Sequence, residues 1–383
     1  MIVIWIIVTV IIVYGSLFPF NFQANDLNRV TFDLFLQSWH DRSSWGDLLS
    51  NIVLFVPFGV AGMLSTRNLR CASLNLLLVS ASGVILAVGL QFTQLYLPGR
   101  RAALSDTIWN ILGLTLGMFF AFVANKYILK LQIEVRTIPL IPLVLLGVWC
   151  AYRLVPFVPT IDFQSIKDSL KPLLIQPEIS LLAVFINTVS WMLAGHFLKY
   201  LTGTRDALGK LGLFMVSLFG LEILIIENDV TASNLVGALI AFIVSASLLD
   251  RAKGMVTILV MLLSISIVLQ GLAPFELRPV IDAFNWLPFH SFFGGSMYYN
   301  ILALLQKIFF YSSLVFLFHE LGLTWLRAAL QTGFLLLLVE ASQIYFSGHT
   351  PEITDPLLAL LLALGMAELD RLAPVSRNIK NKT

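Results

Sequence analysis

Apolar runs of about twenty residues recur from one end of this chain to the other, broken by short polar stretches. A helix of that length crosses the ~30 Å hydrocarbon of a bilayer. In lipid it also satisfies every backbone N–H and C=O within itself, which an open strand cannot do. Charged residues make up 12% of the 383 positions and hydrophobic ones 58%, whereas a soluble domain carries about 25% charge. The sequence therefore reads as an all-α, polytopic transmembrane helical bundle.

Candidate spans cover roughly 2–18, 48–64, 72–97, 104–124, 138–156, 178–198, 211–227, 231–249, 254–272, 298–318, 322–346 and 354–369, twelve in all. The opening MIVIWIIVTVIIVYGSLFPF lacks a positive n-region and a small-x-small cleavage site, so it reads as a first span rather than a signal peptide. With the N-terminus inside, fifteen of the 24 lysines and arginines fall in cytoplasmic segments and seven in outer ones. The positive-inside rule then places both termini in the cytoplasm. Arg100 and Arg101 fall on the outer side, against that bias, while Arg153 and Lys307 fall within spans.

The spans are arranged in a recurring order. Pro-Phe follows an apolar span at Pro19-Phe20, Pro156-Phe157 and Pro274-Phe275, and an asparagine opens the next span at Asn51, Asn187 and Asn300. The third span of each set ends in acids or amides: Gln91 and Gln94, Glu222 and Glu227, Glu340 and Gln343. The fourth opens on Asp106 and Asn110, on Asn234, or on Asp355. The chain thus divides into three four-span units, 1–130, 131–251 and 252–383. An even number of spans per unit makes the repeats parallel rather than inverted. Residues 19–47, 157–177 and 273–297 are the longest connections, alternate aromatic with polar residues, and suit the headgroup region.

Within unit one, Asp47/Asn51 and Asp106/Asn110 are four residues apart and Gln91/Gln94 three apart, so each pair shares a helix face. All lie near the outer ends of their spans by the assigned topology. A carboxylate or amide facing lipid is costly, so these groups face each other or water. Two outcomes fit: interhelical hydrogen bonds that fix packing, or an outward recess for an anionic group. In the second, Arg100 and Arg101 suit a phosphate or carboxylate. The binding candidates are Asp47, Asn51, Gln91, Gln94, Arg100, Arg101, Asp106 and Asn110.

Other chemistries find little support. Net charge is +2 and no basic tract precedes the short tail, which argues against nucleic acid. His40, His196, His290, His319 and His349 show no metal-ligand spacing, and His196 has no evident partner. Cys71 and Cys150 lie far apart and read as small apolar residues. No phosphate loop, dinucleotide fingerprint or nucleophile-elbow motif occurs, and neither a metal nor a cofactor is expected. Lys307 and Glu340 both lie in spans of unit three and are a candidate buried pair.

DLLSNIVLFVPFG (Asp47–Gly59) and QFTQLYLPGRRAALSDTIWNILG (Gln91–Gly113) resemble the VanZ-like family. That family places an N-x-x-x-F-x-P-x-G segment, a Glu/Gln-x-x-Gln pair, an arginine and a D-x-x-x-N-x-x-G segment on neighbouring helices. The matching positions here are Asn51, Phe55, Pro57, Gly59, Gln91, Gln94, Arg101, Asp106, Asn110 and Gly113, and SLFPFNF (Ser16–Phe22) is similar to the family's opening. Unit three keeps Asn300, Glu340, Gln343 and Asp355 but has Thr350 and Ala359 where Arg101 and Asn110 would fall. Unit two keeps Asn187, Gly195, Asn234 and Gly237 and lacks the loop arginine and the aspartate.

The resemblance implies a multi-pass protein of the bacterial cytoplasmic membrane, linked to glycopeptide (teicoplanin) resistance or to envelope polysaccharide. Its expected partners are a membrane lipid or a lipid-linked glycan. Four functions stay open at this point: a non-catalytic binder of a headgroup or partner at the outer leaflet; an enzyme on a lipid-linked substrate with Asp47 or Asp106 as acid or base; a transporter or flippase; or a scaffold.

Overall fold

The computed structural model describes residues 1–23, 38, 45–66, 72–98, 102–130, 139–160, 162–175, 177–226, 228, 230–248, 252–294 and 296–372. Thirteen helices occur among them and no strand. They are α1 (Ile2–Leu17), α2 (Trp45–Thr66), α3 (Ala72–Gln94), α4 (Leu104–Lys130), α5 (Leu140–Leu154), α6 (Phe163–Leu174) and α7 (Leu181–Thr202). The rest are α8 (Ala207–Ile223), α9 (Ala232–Leu248), α10 (Ala252–Leu272), α11 (Met297–Glu320), α12 (Trp325–Gln343) and α13 (Thr354–Leu372).

All twelve segments expected to be apolar spans fold as helices. Six are long and apolar enough to cross a membrane: Leu48–Thr66, Ser73–Gln94, Leu104–Ala124, Leu181–Thr202, Gly254–Leu272 and Tyr298–Glu320. Shorter apolar helices lie at Ile2–Leu17, Leu140–Leu154 and Ala232–Ala246. Large apolar side chains stand exposed in mid-helix, among them Ile85 at 72% in α3 and Val216 at 73% in α8. Water would penalise such a surface and hydrocarbon would not, so these faces are lipid-facing.

α6 falls within 157–177, which the sequence presents as a connection. Asp162 caps it by accepting from the Ser165 N–H at 3.1 Å, and Phe163 and Ile175 at its two ends are exposed. A short helix capped in this way, with apolar and charged residues interleaved, suits a membrane interface.

The chain forms two compact bodies, Met1–Arg136 and Thr137–Thr383. In the first, α2 and α4 approach backbone to backbone. A Cβ on Gly113 would run into the Ile52 carbonyl, one on Gly117 into that of Val56, and one on Gly59 into that of Leu114. Hydrocarbon supplies no hydrophobic drive between helices, so such small-residue contacts carry the association through dispersion. Around them Ile12, Phe55, Phe58, Val79, Ala87, Leu90 and Leu114 form the core. Pro57 lies inside α2, as the sequence indicated, and cannot donate to the Val53 carbonyl.

In the second body α9 packs on α7 in the same manner, with Gly237 against Asn187 and Val184. Its core centres on Trp149 of α5 and Trp191 of α7, edge-on with centroids 4.7 Å apart. Phe309 of α11 lies 6.0 Å from Trp149 and 6.3 Å from Phe197. Helices on both sides of the expected boundary at 251/252 therefore share one core, although the sequence treats 131–251 and 252–383 as separate repeats.

One turn recurs after α1, α5 and α10. Phe20, Phe157 and Phe275 each have positive φ (65°, 61° and 66°) and follow a cis-proline. Each donates its N–H to the carbonyl three residues back, at 2.9, 2.7 and 2.9 Å. The chain then pairs with the loop that follows α3, α8 or α12: Gln23 N–H to Tyr96 O (2.9 Å), Thr160 to Leu224 (2.8 Å) and Arg278 to Tyr345 (2.9 Å).

The α2–α4 contact leads to a contrast between glycines. Gly117→Val puts a branched side chain against the Val56 carbonyl and should cost about 3 kcal/mol or more, since overpacking alone costs about 1–3 kcal/mol. Gly89→Ala, at a position with no neighbour within 4 Å, should leave stability unchanged or slightly raised. Thermal melts of the purified chain in detergent check both; equal midpoints for the two variants would refute the close-packing account.

Candidate functional site

The polar residues gather where α1 and α3 end and α2 and α4 begin. At this end of the first body, Gln94 Nε2 donates to the Ser16 carbonyl at 2.9 Å, tying the end of α3 to the end of α1. One turn earlier, Gln91 is 3% exposed and its Oε1 accepts from the Ala103 N–H at 3.0 Å, holding the entry to α4. Ser38 Oγ accepts from the Leu104 N–H at 2.9 Å. Both glutamines thus clasp one element to the next. This is the packing role open in the sequence, and each amide retains a second polar atom.

Asp106 lies half-buried in the first turn of α4, where a carboxylate faces the positive end of the helix dipole. Asn110, one turn on, is 3% exposed, and Thr107 is 5% exposed. Asn110 Oδ1 and Thr107 Oγ1 are buried without a hydrogen-bond partner among the described residues. Asn51 is half-buried in α2. Asp47 lies in the first turn of α2 with its side chain outside the described atoms. Arg100 and Arg101 lie outside the described residues, as does Cys71.

Similar hydrogen bonds occur at two helix ends of the second body. After α8, Ile225 N–H donates to Glu222 O (3.1 Å), as Leu97 does to Gln94 O (3.0 Å) and Phe346 to Gln343 O (3.1 Å). Glu222, Gln94 and Gln343 therefore hold the same place at a helix end. Gln343 Nε2 donates to the Gly271 carbonyl at 2.9 Å, and Gly271, like Ser16, stands three residues before the turn proline. A carboxylate at this place cannot donate. In that version the residue three before the proline is Arg153, which supplies the donors instead. Arg153 Nε lies 2.5 Å from Glu222 Oε1 and Nη2 2.8 Å from Oε2, a bidentate pair. Asn228 Nδ2 takes over the Arg153 carbonyl at 2.7 Å.

Arg153 Nη1 also donates to Asn234 Oδ1 at 3.0 Å, and Trp191 Nε1 donates to the same oxygen at 3.0 Å. The guanidinium lies 5.7 Å from the centroids of Trp149 and Trp191. This unit, which lacks the loop arginine by sequence, carries an arginine from α5 at its polar end. Its partner lies 69 residues away, so no local motif could reveal it.

Near α13, Lys307 Nζ lies 2.7 Å from Asp355 Oδ1, and Tyr311 Oη donates to Asp355 Oδ2 at 2.5 Å. Lys307 therefore pairs with Asp355, in place of the Glu340 suggested by the sequence. Glu340, 2% exposed, accepts from the Glu352 N–H at 2.9 Å, twelve residues on, the spacing that links Gln91 to Ala103. His196, without a partner by sequence, lies 2.9 Å from Glu320, which also accepts from Tyr200 Oη at 2.6 Å. Among the described residues no group of three or more His, Cys, Asp or Glu side chains is placed to hold a metal ion.

The Arg153–Glu222 pair is buried on both sides, 10% and 2% exposed, so removing one partner strands the other. Arg153→Met should destabilise the chain by about 3–5 kcal/mol, and Arg153→Met with Glu222→Leu should recover much of that loss. Thermal midpoints of the single and double variants measure this; a double variant no better than the single would refute the pairing argument.

Residues 2–125 match the family model described as VanZ/LLP1. No curated protein and no solved structure matches the chain. The match begins with α1, takes in α2 and α3, and ends within α4, so it contains the whole polar end described for the first body. The first third of this chain is a VanZ-like domain, carried by a membrane protein of apolar helices.

Proposed function

We propose that the VanZ-like first body binds the headgroup of a lipid-linked glycan or anionic lipid at the outer leaflet of the bacterial cytoplasmic membrane. The binding serves the envelope, through glycopeptide resistance or an envelope polysaccharide, and no reaction need follow. Supporting this are two buried acceptors with no donor among the described residues, Asn110 Oδ1 and Thr107 Oγ1, at an end that Asp106 also shares. A buried polar atom left unpaired costs about 1–3 kcal/mol. A site that persists with two of them is arranged for something to arrive. The remaining polar groups of this end, Gln91 and Gln94, hold three helix ends in register and so pre-form the recess.

The charge asymmetry between loops supports a topology with this end outside the cell and both termini inside. A headgroup at the outer leaflet would then meet Arg100, Arg101 and Asp106 without crossing the membrane.

Two outcomes are expected. Asp106→Asn combined with Arg101→Gln should abolish the envelope phenotype, read as glycopeptide susceptibility or polysaccharide output of the host strain, at unchanged membrane abundance. Normal function of that variant would end the site reading. In a chain with Cys71 and Cys150 replaced by serine, a cysteine at Pro98 should react with an impermeant maleimide on intact cells. One at Gly203 should react only after permeabilisation, and the reverse pattern would invert the topology.

A further inference from the structure

We infer that the first body recognises its ligand through donated hydroxyls, as on a neutral sugar headgroup, and that residues 137–251 hold a copy of the same site permanently filled by the chain's own Arg153 and Trp191. The inference rests on the binding reading above and narrows the ligand class within it.

Asn110 and Asn234 occupy the same place in their helices. Each stands three residues before a glycine, Gly113 or Gly237. Gly113 packs on Ile52 of α2, next to Asn51, and Gly237 packs on Asn187 of α7, so each meets its partner helix at or beside that helix's opening asparagine. Each also stands three residues after a threonine. In the second body both acceptors are used: Thr231 Oγ1 accepts from the Asn234 N–H at 3.2 Å, and Asn234 Oδ1 accepts from Arg153 and from Trp191. In the first body the equivalent Asn110 Oδ1 and Thr107 Oγ1 are buried with no partner among the described residues.

The reason lies in two positions. Arg153 is three residues before its turn proline, where the first body has Ser16. Trp191 is four residues after its opening asparagine, where the first body has Phe55. Phenylalanine has no donor, and serine is too short to reach where a guanidinium does. The VanZ-like body thus keeps the amide acceptor and omits the two side-chain donors that satisfy it elsewhere in the same chain.

An amide oxygen accepts only from O–H or N–H groups. The described part of the recess presents that oxygen and, three residues before it, a threonine hydroxyl; an ionised phosphate diester carries no hydrogen to give the amide oxygen. Hydroxyls on a sugar donate to the amide oxygen and exchange hydrogen bonds with the threonine hydroxyl. On this view Arg153 and Trp191 show the donor geometry that a bound sugar would reproduce.

The test uses the full chain in amphipol, with octyl β-glucoside or dioctyl phosphate titrated in below micellar concentrations. The readout is the thermal midpoint, which rises with a ligand that binds the folded state. The glucoside should raise it in a concentration-dependent way and the phosphate should not. Ser16→Arg with Phe55→Trp, which transplants the two donors, should raise the midpoint without ligand and remove the glucoside response. Should that double variant fail to fold, Asn110→Ala serves instead and should weaken the glucoside response roughly tenfold. A response to phosphate alone would overturn the hydroxyl inference and leave the binding reading standing. No response to either probe would overturn both. An undiminished glucoside response in the substituted chain would show that the sugar binds elsewhere and would likewise overturn the inference.

Discussion

The polar end of each segment depends on one hydrogen bond, or its replacement, between the end of a third helix and the residue three before a proline. Gln94 reaches the Ser16 carbonyl and Gln343 reaches the Gly271 carbonyl, both at 2.9 Å. Glu222 cannot donate, so Arg153 bridges to it instead. The constraint behind all three is the same. At the edge of a hydrocarbon layer a backbone carbonyl without a donor is expensive. The turn at Phe20, Phe157 and Phe275 leaves the regular helical pattern at that point. A long amide side chain from the neighbouring helix supplies what the helix no longer can.

From that clasp the rest of the end follows. With α1 and α3 tied together, Gln91 or Glu340 is placed to accept a backbone N–H twelve residues on, which fixes the entry to α4 or α13. In the first body and in residues 137–251, glycine contacts then bring α4 against α2 and α9 against α7. The polar residues opening α4 are thereby held near the helix ends already clasped. Near α13 the glycine is absent, and Lys307 and Tyr311 reach Asp355 across the wider contact that side chains can fill.

Much of this was legible in the sequence, and the exceptions have physical causes. Helix positions followed from apolar run length, because a backbone in lipid has few other options. The polar pairs at 91/94 and 106/110 were visible from their spacing. Their use was not, since a glutamine that clasps and one that binds look identical until its partner is known. Arg153 was counted as an isolated cation within a span; its partners Glu222 and Asn234 lie 69 and 81 residues away, beyond any local pattern. α6 escaped because twelve residues of mixed polarity between two prolines resemble a loop until the Asp162 cap is seen.

The contrast between Asn110 and Asn234 is in the end an energetic one. Two unfilled buried acceptors cost about 2–6 kcal/mol together, against a total stability of about 5–15 kcal/mol for a typical domain. The copy that holds Arg153 has removed that cost, and has also used up the groups a ligand would need. Filling the site from within and binding from without are therefore alternatives for one and the same oxygen. On the proposed binding reading, a chain with several related segments keeps one of each: a closed copy whose ion pair ties α5 to α8 in the core of the larger body, and an open one whose acceptors have no donor among the described residues.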